Sequence, residues 1–166
     1  MAFSFSTRAA RTALASAALL VLGTVAAPAA NAYNPDIDGD GIPNTWEMKG
    51  YDADGDGKID VNYPAMGANP LKKDLFVEMD YMPGLLASEE ELDRITESFT
   101  QLPVRNPNGT TGINIHLDAG SARSAKYNLG GGNEVAHEQL DNTMTKWAEI
   151  RSKNMDPNRE SVFHYM

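Results

Sequence analysis

Apolar and polar residues recur with two different periods after residue 70. The segments 74–81 and 113–117 alternate with the period of a β-strand, and 161–166 has the pattern of a third strand. The segments 88–102 and 138–152 instead repeat apolar residues at the spacing of amphipathic helices. The residues expected to face a core are Leu75, Val77, Met79, Tyr81, Leu92, Ile95, Phe99, Leu102, Ile113, Ile115, Leu117, Leu140, Met144, Trp147 and Ile150.

The order of these segments predicts the fold class. A β-α-β-α-β succession is typical of an α/β fold whose strands share one sheet, and an α+β arrangement is the alternative. Ser88 with Glu91 three positions later predicts a capping box at the start of the first helix, and Pro103 predicts its end.

The N-terminus has the pattern of an export signal. Two arginines precede an apolar run, 14–25, that is shorter than the roughly 18 residues of a membrane span. Ala30 and Ala32 fit the small-x-small pattern of a cleavage site, so Tyr33 is the expected mature N-terminus. We therefore expect a secreted, extracellular protein with no membrane association after cleavage.

Two aspartate-rich loops follow the leader, and the first fits the template of a calcium loop. That template places side-chain oxygens at positions 1, 3 and 5, glycine at 6, a backbone carbonyl at 7 and a bidentate acid at 12. The matching ligands are Asp36, Asp38, Asp40, Ile42 and Glu47, with Gly41 at position 6.

The second loop repeats the template incompletely. Its expected ligands are Asp52, Asp54, Asp56, the carbonyl of Lys58, and Asp60. Position 12 is Tyr63, so this loop lacks the bidentate acid and is expected to be the weaker site.

The alternative is a solvated acidic turn without an ion. Calcium binding is favoured, because the same spacing of aspartates and glycine occurs in both loops. The expected cofactor is one or two Ca²⁺ ions, since Mg²⁺ prefers a tight octahedron with retained waters. Only four residues separate the loops, too few for the helices of a full EF-hand pair. The unit is therefore EF-hand-like and is similar to dockerin or thrombospondin type 3 repeats.

These patterns divide the chain into a signal peptide at 1–32, a calcium-binding double loop at 33–70 and an α/β domain at 71–166. The double loop holds eight acids between 36 and 60. Self-repulsion among these acids leads us to expect that calcium removal unfolds 33–70 before it disturbs the α/β layer.

The charge balance and the lack of cysteine limit the classes of partner and cross-link expected for this chain. The formal net charge of −9 becomes −11 once the leader's two arginines are removed, which argues against nucleic acid and anionic membranes. Cysteine is absent, so calcium takes the place of disulfides as the expected cross-link of an exported chain.

The histidines give a weak signal for catalysis. His137-Glu138 with Asp141 is the stretch closest to the zinc motif H-E-x-x-H, but aspartate stands where the second histidine belongs. The other histidines, His116 and His164, lie in predicted strands. We therefore expect no zinc in this chain and assign no catalytic residue.

Parts of the sequence resemble two known groups of proteins. The sequence at 38–43 with Trp46-Glu47 resembles the calcium module of anthrax protective antigen-type toxins. The segments 73–82, 106–116, 127–133 and 163–166 resemble secreted bacterial zincin-like metalloproteases. That likeness implies an incomplete zincin-like layer, with the H-E-x-x-H helix expected on a missing C-terminal catalytic segment. The alternative is a truncated relative kept for calcium binding or interaction.

The leading functional hypothesis is a secreted calcium-binding protein, the N-terminal part of a metalloprotease-like protein and non-catalytic as it stands. One alternative is an active secreted metallohydrolase using His137, Glu138 and Asp141 with His116 or His164. Another is a calcium-rigidified adhesion or docking module, with Trp46, Tyr51 and Tyr63 as candidate contacts.

Overall fold

A computed structural model describes residues 35–166, so the predicted signal peptide and its cleavage site lie outside the described part. The described helices and strands follow in this order: α1 (Asn44–Lys49), α2 (Tyr63–Met66), β1 (Asp74–Glu78), α3 (Glu89–Thr100), β2 (Asn114–Asp118), α4 (Thr145–Asn154) and β3 (His164–Tyr165). Short 3₁₀ turns lie at Gly120–Ala122, Ala125–Tyr127 and Pro157–Arg159. None of the described helices is long and apolar enough to cross a bilayer.

The three strands form one parallel sheet in the order β2-β1-β3. Asp74 at the start of β1 lies opposite Asn114, and Glu78 at its end lies opposite Asp118. The shorter β3 pairs with the last residues of β1. The mixed α/β class predicted from the sequence is therefore confirmed.

Alternation along β1 sends its side chains to two separate cores. Val77 packs on the α3 side with a cluster that includes Leu92, Ile115 and Leu117. Phe76 points to the opposite face, where it joins a second cluster. Both faces of this strand are covered, as is typical of parallel sheets.

The second core joins the acidic-loop region to the sheet. Its buried members come from both sides of residue 70: Ile42, Val61, Tyr63, Phe76, Met155 and Phe163. Tyr63 is fully buried, and its ring packs on Phe76 and Phe163 with centroids 5.3 and 6.3 Å away. The described residues, 35–166, belong to one compact unit.

Local signals set the start of α3 as expected. The Ser88 hydroxyl accepts the Glu91 N–H, and the Glu91 carboxylate accepts the Ser88 N–H, which completes the capping box. Three glutamates in the first turn also face the positive end of the helix dipole.

The last helix differs from the prediction for 138–152. It begins at Thr145, because the Asp141 carboxylate accepts the N–H groups of Thr143 and Thr145 and holds a turn in front of it. Leu140 and Met144, predicted to face the core, are 52% and 55% exposed. Their assignment to a buried stripe is wrong.

The shared second core predicts that the loop region and the sheet unfold together. Tyr63→Ala is expected to destabilise the chain by about 3–5 kcal/mol, as large-to-small core substitutions do. The matched change Met48→Ala, on the exposed side of α1, is expected to stay within about 0.5 kcal/mol.

Urea unfolding in EGTA tests whether the two regions unfold together. Trp46 fluorescence in a Trp147→Phe background reports on the loops, and far-ultraviolet circular dichroism reports on the helices. We expect coincident midpoints rather than early loss of 33–70. A Trp46 midpoint well below the dichroism midpoint would show that the loops unfold independently.

Candidate metal centre

Backbone hydrogen bonds wrap the first acidic loop around its own carboxylates. Asp36 accepts the N–H groups of Gly39 at 2.7 Å and Gly41 at 3.0 Å. Both glycines have positive φ, at 76° and 95°, which is why the chain can turn twice within six residues. Carboxylate oxygens of Asp36, Asp38 and Asp40 lie within 4.8 Å of one another.

Glu47 reaches this group from helix α1. The Asn44 side chain accepts the Ile37 N–H at 2.9 Å, and the Asn44 N–H donates to the Pro35 carbonyl, which ties the start of α1 to the loop. Glu47 is 1% exposed, and neither of its carboxylate oxygens has a hydrogen-bond partner among the described residues. A buried ionised carboxylate without a partner is strongly unfavourable, so this side chain fits a site for a cation.

The structure adds Asp74, a residue that the sequence analysis missed. Carboxylate oxygens of Asp40, Glu47 and Asp74 lie within 4.8 Å of one another. The Asp74 N–H also donates to Asp40 Oδ2 at 2.7 Å. Asp74 stands outside the loop template, at the first position of β1, so ligand spacing gave no signal for it.

Burial, together with crowding of negative charge, raises the pKa of three of these carboxyl groups. Burial, followed by the charges of Asp40, Asp38 and Asp74, raises the pKa of Glu47 to about 8. Burial and the neighbouring Asp40 raise the pKa of Asp38 to about 6. Burial also raises the pKa of Asp40. The site therefore opposes its own full ionisation.

Asp36 differs from these three carboxylates. Its partial burial acts to raise its pKa, but the hydrogen bonds from Gly41 and Gly39 outweigh that effect and leave the pKa lowered. Asp36 is thus the member of the loop that the backbone itself holds ionised.

The second loop is more open. Carboxylate oxygens of Asp52, Asp54 and Asp60 lie within 4.8 Å of one another, and Asp54 and Asp60 are exposed. Asp56 is not in that group, and its carboxylate pairs with the Lys58 ammonium at 2.6 Å.

Positions 7 and 12 show a further contrast between the loops. The Ile42 side chain is buried in the second core, whereas the Lys58 side chain is exposed. Position 12 is occupied in the first loop by buried Glu47 and in the second by Tyr63, whose ring is fully buried in the core. The second loop thus receives no acid from its own twelfth position.

The residues of the alternative zinc site are not brought together. His137 and Glu138 are exposed in a segment without helix, and Asp141 caps the turn before α4. His116 contacts Asp74 instead, and His164 is exposed on β3. Within residues 35–166, the groups with metal-binding geometry consist of aspartate and glutamate alone.

Comparisons with protein-family models, with curated proteins and with solved structures found no match for this chain. The chemistry of the centre therefore rests on its own geometry. Its acidic clusters could hold a metal ion, and oxygen donors alone suit a hard cation rather than a soft one.

Metal binding at the first loop is expected to release a proton near neutral pH. With a pKa of about 8, Glu47 keeps most of its proton at pH 7 and must lose it to ligate an ion. Affinity should therefore rise with pH up to about 8 and then level off. Calorimetric titration in two buffers of different ionisation enthalpy measures the protons released, close to one at pH 7 and close to none above pH 9.

The stability of the metal-free protein should show the opposite trend. Since the folded-state pKa of Glu47 lies above its usual 4.5, the stabilisation from its neutral form is fully present below that value and is lost as pH rises through about 8. Glu47→Gln should abolish both the proton release and this trend. An equal proton count in wild type and Glu47→Gln would contradict the assignment.

Proposed function

We propose that this chain is a secreted calcium-binding protein whose first loop is the principal site. Its ligands are the carboxylates of Asp36, Asp38, Asp40 and Glu47 with the carbonyl of Ile42. The observation that carries this proposal is Glu47, buried at 1% exposure with both oxygens unpartnered among the described residues and close to Asp40.

The donor set favours calcium over other divalent ions. Ca²⁺ takes six to eight oxygens in a flexible geometry, which a wrapped loop with several carboxylates supplies. Mg²⁺ demands a regular octahedron and keeps its waters, and Zn²⁺ prefers nitrogen or sulfur ligands. Asp74 contributes a further carboxylate beside Asp40 and Glu47.

The second loop is proposed as a weaker site. It lacks an acid at position 12, and the Lys58 ammonium neutralises Asp56. Asp52 already accepts the N–H groups of Gly55 and Gly57, so the loop is shaped by its backbone before any ion arrives. The missing acid and the Lys58 ion pair favour a site that fills only at high calcium, as outside the cell.

The proposed role of the ion is structural. It would neutralise acids that stand between the loop, α1 and the start of β1, so its binding free energy would also be folding free energy. The docking alternative is less favoured, because Tyr63 is fully buried and the rings of Trp46 and Tyr51 pack on each other at 4.1 Å.

The likeness to secreted zincin-like metalloproteases stays a proposal for the α/β part. A hydrolytic centre built on His137, Glu138 and Asp141 is not favoured, because no cluster of metal-binding geometry in residues 35–166 contains them. Incubation with casein, zinc and calcium tests this. Chelator-sensitive cleavage that is lost in Glu138→Gln would favour the hydrolase instead.

Calorimetric titration of residues 33–166 with calcium tests the main site. We expect two phases, with Glu47→Gln weakening the tighter phase more than about tenfold, or about 1.4 kcal/mol. Asp56→Asn should affect only the weaker phase. Glu90→Gln, which changes an exposed acid in an ion pair with Arg94, is the charge-matched control and should change neither phase.

The ranking of the two loops is wrong if Asp56→Asn removes the tighter phase while Glu47→Gln leaves it intact. Absence of any calcium-dependent heat in wild type at millimolar calcium would refute the proposed function itself.

Export has its own test. The full chain expressed in a bacterial host should appear outside the cytoplasm with Tyr33 as its first residue, as intact-mass analysis would show. Ala32→Phe should block cleavage and retain the leader, because signal peptidases require a small residue there. Cytoplasmic accumulation of the uncut wild-type chain would contradict secretion.

A further inference from the structure

We propose that His116 and Asn114 on β2 are positioning residues for the metal centre, holding Asp74 so that Asp40 and Glu47 meet the ion in a fixed arrangement. This rests on the proposed calcium site in the first loop. The proposal adds to the loop site two side chains of the parallel sheet. These side chains are proposed to orient ligands and are not ligands themselves.

Asp74 is held from three directions. Its side chain is fully buried, and Oδ1 accepts Asn114 Nδ2 at 2.7 Å and contacts His116 Nε2 at 2.6 Å. Oδ2 accepts the Asn69 N–H at 2.7 Å. Since a carboxylate accepts hydrogen bonds, Nε2 is the nitrogen of His116 that carries a proton toward Asp74.

The His116 ring is itself fixed in place. It stacks on Phe76 with ring centroids 4.2 Å apart and planes 10° from parallel. On another side lies Gly67, where an added Cβ would come within 3.3 Å of His116 Cε1. Glycine suits this turn because its φ of 97° is one that other residues rarely adopt, and because an added Cβ would make a tight contact with the ring. Nε2 is thereby held beside Asp74 Oδ1, 2.6 Å away, with the Asn114 side-chain amide 3.0 Å from the same nitrogen.

Asp74 in turn lies next to two of the proposed ligands. Its backbone N–H holds Asp40 Oδ2 at 2.7 Å, and its carboxylate lies within 4.8 Å of both Asp40 and Glu47. Residues that orient ligands in this way typically change metal affinity about 10–100-fold when removed. The register of β1 on β2, with Asp74 opposite Asn114, thus becomes part of the metal centre.

The test compares variants that keep or remove the donor at Nε2. His116→Phe keeps an aromatic ring for the stack on Phe76 but removes the hydrogen bond, and should weaken the tighter calcium phase about 10–100-fold. His116→Gln restores an N–H donor at similar reach and should recover most of that loss. The matched control is His164→Phe, on exposed β3, which should change nothing.

The measurement is calorimetric calcium titration of residues 33–166, with circular dichroism of each metal-free variant. Asn114→Leu removes the other side-chain donor to Oδ1 and should give a similar weakening, which keeps the test intact if His116→Phe fails to fold. The weaker phase, from the second loop, should be unchanged in every variant.

The proposal is overturned if His116→Phe and Asn114→Leu bind within twofold of wild type, or if His116→Gln binds as poorly as His116→Phe. Failure of the underlying calcium proposal looks different, because wild type would then show no tight phase at all.

Discussion

Burial of a carboxylate with no basic partner is the constraint on which the rest of this arrangement depends. Glu47 is held inside the protein by α1, while Asp38 and Asp40 of the loop and Asp74 of β1 crowd around it. Burial and mutual repulsion raise the pKa values of Glu47, Asp38 and Asp40, so full ionisation of these three acids is unfavourable. The turns of the first loop, the position of α1 and the register of β1 together bring these acids close to one another.

The two loops share one template but differ in the residue at its twelfth position. Position 12 supplies a buried acid in the first loop and, in Tyr63, the centre of an aromatic core in the second. Tyr63 packs against Phe76 and Phe163 at the position where the calcium-loop template has an acid. The second loop is thereby anchored to the sheet through hydrophobic contact, and the first through buried Ile42 and the hydrogen bond from the Asp74 N–H to Asp40. Both anchors join the acidic segment to the α/β part.

Features that depend on neighbours in the chain could be predicted from the sequence. The alternation around Val77 and Ile115 located two strands, the pair Ser88 and Glu91 fixed the start of α3, and the spacing of Asp36 to Glu47 identified the main cluster. Each of these signals is local, so its physics is contained within a few residues.

Features that depend on distant contacts could not be predicted. Asp74 joins the cluster only because β1 runs beside the first loop, and loop spacing carries no information about that. The helix predicted from residue 138 failed for a competing local reason, since the Asp141 carboxylate captures backbone N–H groups that a helix would need.

Another buried acidic pair in the same molecule sharpens the argument for a cation. Glu78 and Asp118, at the carboxyl ends of β1 and β2, are fully buried, and Arg159 Nη1 lies 3.1 and 2.8 Å from their oxygens. The Arg159 guanidinium also donates to the Leu129 carbonyl, so the chain supplies its own counter-ion with a fixed geometry. For Glu47 no lysine or arginine among the described residues does the same. A fold that neutralises one set of buried acids with an internal arginine gathers another set around unpartnered oxygens, and that second set could hold an external cation.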